Sequence, residues 1–569
     1  MNMNTKMNKE KILLMLLPFW DPQIPPSGIS CLKSYLQQHG YSVKTIDANI
    51  EDHLKETYHK YFEKLREYVP ENQKGNFNKI GFDILHNHMM AHMNHENEDD
   101  YMAAIKILFK TTFFMDIEPD RVSELDQLIG VFFQRLEAYI LPILEREKPD
   151  VLGITVYTDT LPASLLAFKL AKEKYPDMRT VMGGGIFASD MTLGSANLEF
   201  FLERVPYIDK ILVGEGEYLF LKYLEGELNE QPGPKRAASL KDIQNEVMDI
   251  ASLGVPDFSD FDLTHYPYLT AYTSRSCPFQ CEFCTETIQW GKYRKKSHGQ
   301  AVQELLTLYR RYGGQLFLMG DSLLNPIITD LAQELEKEEI SIYWDGYLRA
   351  ERRAGDTENT MLWRRGGFYR ARLGLESGSG RVLDLMNKKI TVEEIRSTVS
   401  ALAYAGIKTT TYWLLGFPGE TEADFRETLD LIEEMADDIY EVNCSPFWYF
   451  HDAQGGDARW KDKSTPLYPA KAREMFLIQT WMVDCEPHRE EIYRRMWRFT
   501  EHCKKLGIPT PYSLQEFHQA DLRWLELHKN AVPPMVWFGK QGKCIDENKQ
   551  VKKILQTQAA ESDDGDFGF

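Results

Sequence analysis

Short apolar runs alternate with amphipathic stretches along most of this chain, at a spacing of about 30 residues, the rhythm of strand–helix units in a parallel sheet. In the central part, apolar runs at 269–274, 315–319, 341–345, 369–376, 408–415 and 440–447 predict six strands. A period near 3.6 predicts helices over 300–312, 326–336, 392–405 and 422–435. In parallel βα folds, ligands gather at the carboxyl ends of the strands.

The same alternation opens the chain. Strands are predicted at 12–17, 41–47, 151–156, 179–182 and 208–213, with helices at 29–40 and 161–175, a doubly wound α/β pattern over residues 1–225. An insertion over about 51–148 interrupts it, far longer than an ordinary connection, with helical patterns at 101–114 and 122–145. Residues 226–266 read as a linker. Beyond 451 the pattern is helical and aromatic (Trp460, Phe476, Trp481, Tyr493, Trp497, Trp524, Trp537). That predicts a helical cap closing the mouth of the central domain, or a core that simply buries these rings. The acidic, glycine-containing tail at 559–569 reads as disordered. The fold class is α/β with a helical insertion and a helical C-terminal domain.

With 569 residues, 43% hydrophobic and 12% aromatic, the chain has material for several packed cores. A net charge of -20 argues against nucleic acid as a partner, since phosphate contacts need clustered Lys and Arg. The basic run at 292–296 is short and reads as a frame for a site or as exposed surface. The apolar run at 12–17 stops at Pro18, too short for a membrane span, so a cytoplasmic protein with no membrane partner is expected. Eight scattered cysteines are too few for a disulfide scaffold.

Three of those cysteines stand together, as Cys277-Pro-Phe-Gln-Cys281-Glu-Phe-Cys284. Three thiolates on one loop can hold three irons of a cubane and leave the fourth iron open. Structural zinc normally takes four protein ligands. Here the next cysteine is Cys444 and the nearest histidine His298, so zinc fits poorly. The bland reading is three unrelated buried thiols. Cys444, Cys485, Cys503 and Cys544 are too dispersed for a second cluster.

Residues 267–450 resemble the core of radical S-adenosylmethionine (radical SAM) enzymes, a partial (β/α)6 barrel. The resemblance implies that Cys277, Cys281 and Cys284 hold a [4Fe–4S] cluster whose open iron is chelated by SAM. SAM is then cleaved to a deoxyadenosyl radical that abstracts hydrogen from an unactivated carbon. Phe283 falls at the aromatic position near adenine, and Gly320-Asp321 where groups for the methionine amine are placed. Glu376, in Leu373-Gly-Leu-Glu-Ser-Gly, matches the ribose-binding glutamate, and Gly416, Pro418 and Glu420 match the turn lining the adenine pocket. Asp321 and Glu376 also fit helix N-caps. Arg349 fits a bidentate partner for the SAM carboxylate or, equally, a solvated arginine.

The N-terminal domain resembles the cobalamin-binding domain of cobalamin-dependent radical SAM enzymes, through Pro25-Pro26-Ser27-Gly28, the strand end at 153–155, Gly183-Gly184-Gly185 and Val213-Gly-Glu-Gly-Glu217. That implies cobalamin at Thr155, Thr158, Gly184, Gly185 and Glu215, held without the D-x-H-x-x-G histidine, which this chain lacks. It also implies methylation of a natural-product or peptide substrate and an electron donor such as flavodoxin or ferredoxin. A non-methylating radical enzyme with a vestigial or accessory corrinoid domain, a non-catalytic corrinoid or metal sensor, and a generic flavodoxin-like domain are the alternatives. His86, His88, His92 and His95 interleave with methionines in the insertion and do not share one helix face, so packing is favoured over a metal site.

Overall fold

Strand β1 (Lys11–Leu16) is buried along nearly its whole length because both of its faces are covered. Ile12, Leu14 and Leu16 pack with Ile29 and Leu36 of the helix Ser27–Gln38 and with Leu219 and Phe220 of the helix Gly216–Leu224. Leu13 and Met15 point the other way, into a larger core shared with the insertion. A continuous apolar run is what a parallel strand with helices on both faces requires. The computed structural model describes residues 9–228, 236–243, 248–454, 456–511 and 514–531. The tail expected at 559–569, Trp537 and Cys544 lie outside them.

Around β1 stand β2 (Ser42–Asp47), β3 (Val151–Thr155), β4 (Arg179–Gly183), β5 (Lys210–Leu212) and β6 (Ala237–Ala238). The order is β2-β1-β3-β4-β5-β6, parallel throughout. Strand β6 comes from the segment expected to be a linker, which therefore contributes an edge to the first sheet. Two alanines carry no periodicity by which a strand can be read.

The second sheet begins with β7 (Leu269–Ala271), which runs into a small antiparallel hairpin of β8 (Ser274–Arg275) and β9 (Arg294–Lys295). The strand expected over 269–274 thus breaks after Ala271. The sheet continues with β10 (Leu316–Met319), β11 (Tyr343–Leu348), β12 (Phe368–Glu376), β13 (Lys408–Leu415) and β14 (Glu441–Pro446), all parallel and paired in chain order. On β12, Ala371, Leu373 and Leu375 join the apolar core. The alternate residues carry charge: Arg372 donates to Asp345 at 2.9 Å and Arg370 to Thr410 at 2.7 Å. Period-two alternation puts these arginines on the opposite face of the strand.

The C-terminal helix Leu514–Leu527 closes the amino-terminal end of this sheet, not its ligand-facing mouth. Lys408, the first residue of β13, pairs with Asp521, Tyr440 donates to Asp521 at 2.8 Å, and Trp524 donates to the Gly406 carbonyl at 3.3 Å. Only this last helix departs from the expected cap: earlier in the same segment Trp460 and Trp481 pack with Phe283 of the cysteine loop and with Phe417 and Phe447, just beyond β13 and β14.

The insertion folds as four helices, Asp52–Tyr68, Phe77–Asn94, Glu98–Thr112 and Pro119–Glu147. By length and composition Pro119–Glu147 is apolar enough to cross a membrane. Here its stripe of Val122, Leu125, Ile129, Phe132, Leu136, Ile140 and Leu144 is fully buried. The histidines serve the packing. His88 sits between the Tyr61 and Tyr101 hydroxyls, at 2.8 Å from each; His92 meets Asp126 at 2.6 Å, and His86 and His95 bond to backbone carbonyls.

Candidate active site

The carboxyl ends of both sheets open onto one cavity of about 670 Å³. From the second sheet come Cys277, Cys281, Cys284, Phe283, Asp321, Arg349, Gly374, Glu376 and Lys388; from the first come Thr155, Gly183, Gly184, Gly185, Gly214 and Glu217, with Ser27 and Gly28 at the start of the first helix. The cysteine loop follows the β8 strand, so it hangs over the same strand ends.

Cys281 is buried, and Cys277 and Cys284 are half-buried. Burial raises the Cys277 thiol, and burial followed by the negative charge of Glu286 pushes Cys284 up to about 12. Such thiols give up their protons to a cation that replaces lost solvation. Among the described residues no three His, Cys, Asp or Glu side chains are gathered to hold a single metal ion. A cubane instead puts each thiolate on a different iron, so three cysteines spread along one loop are the donor set it needs.

The root of this loop is clamped residue by residue. Thr273 donates its backbone N–H to Asp321 at 3.0 Å, and the Thr273 and Ser274 hydroxyls donate to the same carboxylate. Asp321 therefore lines the cavity with its oxygens already engaged, and it caps no helix, the next one starting at Ile328. Ser276 takes a left-handed backbone, φ 70°, and its hydroxyl donates to the Gly291 carbonyl at 2.7 Å.

Arg349 is buried, and its Nη2 has no hydrogen-bond partner. Its guanidinium lies 3.9 Å from the centre of the Phe279 ring, and Asn325 fixes its backbone by accepting the Arg349 N–H at 2.8 Å. The solvated reading of Arg349 is thereby overturned. A buried guanidinium with an orphaned N–H in a cavity is a site for an anion. Glu376, at φ 66°, accepts from Lys388 Nζ at 2.8 Å. The following helix, Gly380–Leu385, starts after Ser379, so Glu376 is not its cap. Lys388 also lies 5.4 Å from the centre of the Phe283 ring. Arg349, Glu376 and Lys388 thus present two cations and a carboxylate beside the cysteines, a donor set suited to a zwitterion such as SAM.

Other expected residues lie elsewhere. Gly416 and Pro418 line a separate cavity of about 280 Å³ with Trp481, His488 and Arg489. Glu420 is buried and accepts from the Gly416 N–H at 2.8 Å and from Arg495 at 2.7 Å, so it holds its own turn. Thr158 donates to Asp190 at 2.7 Å beside a third cavity. Glu215 does not line the main cavity: it accepts from Arg275 at 2.9 Å and Arg294 at 2.7 Å. At Gly184, φ 119°, a Cβ would lie 2.4 Å from Val156 N, and at Gly185 it would strike the Tyr157 ring at 2.6 Å. Those two glycines are needed first by the fold. At Gly28 a Cβ would meet nothing within 4 Å, so this position is open to the cavity. Sequence reasoning passed over Lys388 and Arg275 and read Glu217 only as part of its turn; their partners lie 12 to 60 residues away.

Two parallel βα sheets facing one cavity, one with a three-cysteine loop, define a cofactor-dependent enzyme of the cluster-binding class. Residues 272–432 match the family model of the Radical SAM superfamily, so the second sheet carries a radical SAM domain. An anaerobic magnesium-protoporphyrin IX monomethyl ester cyclase of Rubrivivax gelatinosus is 25% identical over 330 residues, 54% of this chain and 58% of that protein. The cobalamin-dependent radical SAM methyltransferase TokK of Streptomyces tokunonensis is 24% identical over 369 residues, 57% of this chain and 52% of its own. The chain thus spans between half and two thirds of these curated relatives. The radical SAM methyltransferase TsrM of Kitasatospora setae, solved with a tryptophan substrate and a SAM analogue, superposes with a TM-score of 0.59 at 14% identity, covering 98% of this chain and 100% of that one. The likeness to TsrM extends the shared fold across both sheets. The radical SAM match implies a [4Fe–4S] cluster and SAM, and the cysteines and the orphaned Arg349 fit them.

Proposed function

We propose that this chain is a cobalamin-using radical SAM enzyme of the cytoplasm that methylates an unactivated carbon of a small-molecule or peptide substrate. The observation that carries the proposal is the single cavity between the two sheets, with thiols on one wall and open glycine backbone on the other. TsrM, which has the same two-sheet fold, has been solved with cobalamin and a [4Fe–4S] cluster, and TokK is a cobalamin-dependent methyltransferase.

When bound, the cluster supplies the electron that cleaves SAM, and a corrinoid supplies a methyl group. The chain's own residues do the positioning. Cys277, Cys281 and Cys284 hold the cluster, and Arg349 takes the SAM carboxylate through its free N–H. Glu376, kept oriented by Lys388, accepts from the ribose hydroxyls; Phe283 gives an apolar face to the adenine. On the opposite wall Thr155, Gly28 and Gly214 leave room for a flat macrocycle. Among the described residues no histidine lines this cavity, so the corrinoid would be held without an imidazole ligand. The electron comes from an outside donor such as flavodoxin or ferredoxin.

A second reading, ring closure or oxidation without methylation, draws on the likeness to the cyclase. The two separate on incubation of the protein, reconstituted with iron, sulfide and hydroxocobalamin, with dithionite and SAM carrying a deuterated methyl group. Deuterated methyl recovered on the corrinoid supports methylation. Deoxyadenosine formation with no corrinoid retained favours the second reading, and neither signal from a cluster-loaded protein removes both.

A further inference from the structure

The cysteine loop belongs to the second sheet, yet the residue two places before its first thiol is held by the first. Arg275 is buried, and its guanidinium donates to Glu215 at 2.9 Å and to both oxygens of Glu217, the second being at 3.2 Å. Glu215 also takes Arg294, at 2.7 Å, from the other strand of the β8–β9 hairpin. Both glutamates are themselves buried, Glu215 just before and Glu217 within the first turn of the helix Gly216–Leu224 that follows β5. Glu217 in addition lines the cavity. Three buried charges and the partly buried Arg294 at a junction between two sheets make a geometry that is costly to disturb, because removing one partner strands another. Next to Arg275, Ser276 holds a left-handed backbone that a serine takes only when its surroundings enforce it.

We infer that Arg275 is a positioning residue: fastened to Glu215 and Glu217 of the first sheet, it sets the direction in which the cysteine loop leaves β8, and so where the open iron stands relative to SAM. The inference rests on the cluster reading above. It differs from a simple brace because its effect should appear in how the cluster meets SAM, not only in folding.

The test uses the full chain reconstituted with iron and sulfide, with iron content, circular dichroism and the electron paramagnetic resonance spectrum of the reduced cluster followed during SAM titration. Glu217→Gln keeps the side-chain shape, lies outside the second sheet and removes one charge; Arg275→Met removes the clamp, and Arg275→Lys keeps the charge without the fork. Expected are unchanged iron content and dichroism with Glu217→Gln, and a SAM-dependent spectral change that needs about tenfold more SAM. Arg275→Met should shift it further, with Arg275→Lys between the two. If Arg275→Met does not fold, Glu217→Gln decides by the same readout. Wild-type SAM titration in Glu217→Gln would overturn the inference. A wild-type chain that assembles no cluster would overturn the reading beneath it, a result distinguishable by iron content alone.

Discussion

Arg349 shows what a single side chain can disclose. A guanidinium held under cover with one N–H unmet has a standing cost of desolvation that a bound carboxylate removes. Arg349→Ala should leave iron content unchanged and weaken SAM binding by roughly 1.5–3 kcal/mol, a tenfold to hundredfold rise in Kd by isothermal titration. Glu376→Ala should weaken SAM too, while also releasing Lys388. Cys281→Ala should lose the iron–sulfur absorbance near about 400 nm and SAM cleavage together. Cys444→Ala, a change in the buried core that does not line the cavity, should keep both and lose only stability, about 1 kcal/mol. His88 makes a different kind of prediction. Burial depresses it to about 3, with the charge of Asp126 opposing, and it stays neutral between Tyr61 and Tyr101, near His92. A folded-state pKa below the unfolded value means that the unfolded chain binds the proton first. Its contribution is therefore whole above pH 6.5 and drains away as pH falls toward about 3, at up to about 1.4 kcal/mol per unit. Urea unfolding of the wild type at pH 7 and pH 5 should show that loss, and His88→Gln should reduce it.

At the scale of elements, turns separate the legible from the hidden. Apart from β6, the strands of both sheets could be read from their apolar positions, continuous in β1, where both faces are covered, and alternating with arginine in β12. The cysteine loop was legible because its spacing is itself the chemistry. What pattern could not show is where a turn's carboxylate points. Glu215, Asp321 and Glu420 each stand in a recognisable turn, but each is answered by residues 4 to 75 positions away, and those partners are visible only in three dimensions. Strand β6 and the β8–β9 hairpin are two residues long each and leave no periodic trace. The glycine turn at 183–185 yields a sharper experiment than its motif alone. Gly184→Ala would drive a Cβ into the Val156 backbone and should lower the thermal midpoint with or without ligand, the strain amounting to about 1–3 kcal/mol. Gly28→Leu, in open space on the same wall, should leave the midpoint near that of the wild type and abolish corrinoid retention on a desalting column. Retention by Gly28→Leu would place the macrocycle elsewhere.

At the scale of the whole molecule, the insertion fastens the first sheet to the far end of the chain. Asn76 donates to the Cys444 carbonyl and Asn94 to the Met475 carbonyl, each at 2.8–2.9 Å, and Arg489 donates to the Thr111 carbonyl at 2.8 Å. Those pairs are separated by 368 to 381 residues. A nascent chain emerging from the ribosome therefore displays the helix Phe77–Asn94 long before the helix Ala470–Phe476 that covers it has been made. At about 5–20 residues per second, the apolar side of the insertion stays bare for some tens of seconds. Over that interval its fate is decided by holding chaperones and by translation speed. A synonymous slow stretch in the messenger between codons 112 and 470 would lengthen the exposure, leaving every contact of the finished protein unchanged while lowering its soluble yield.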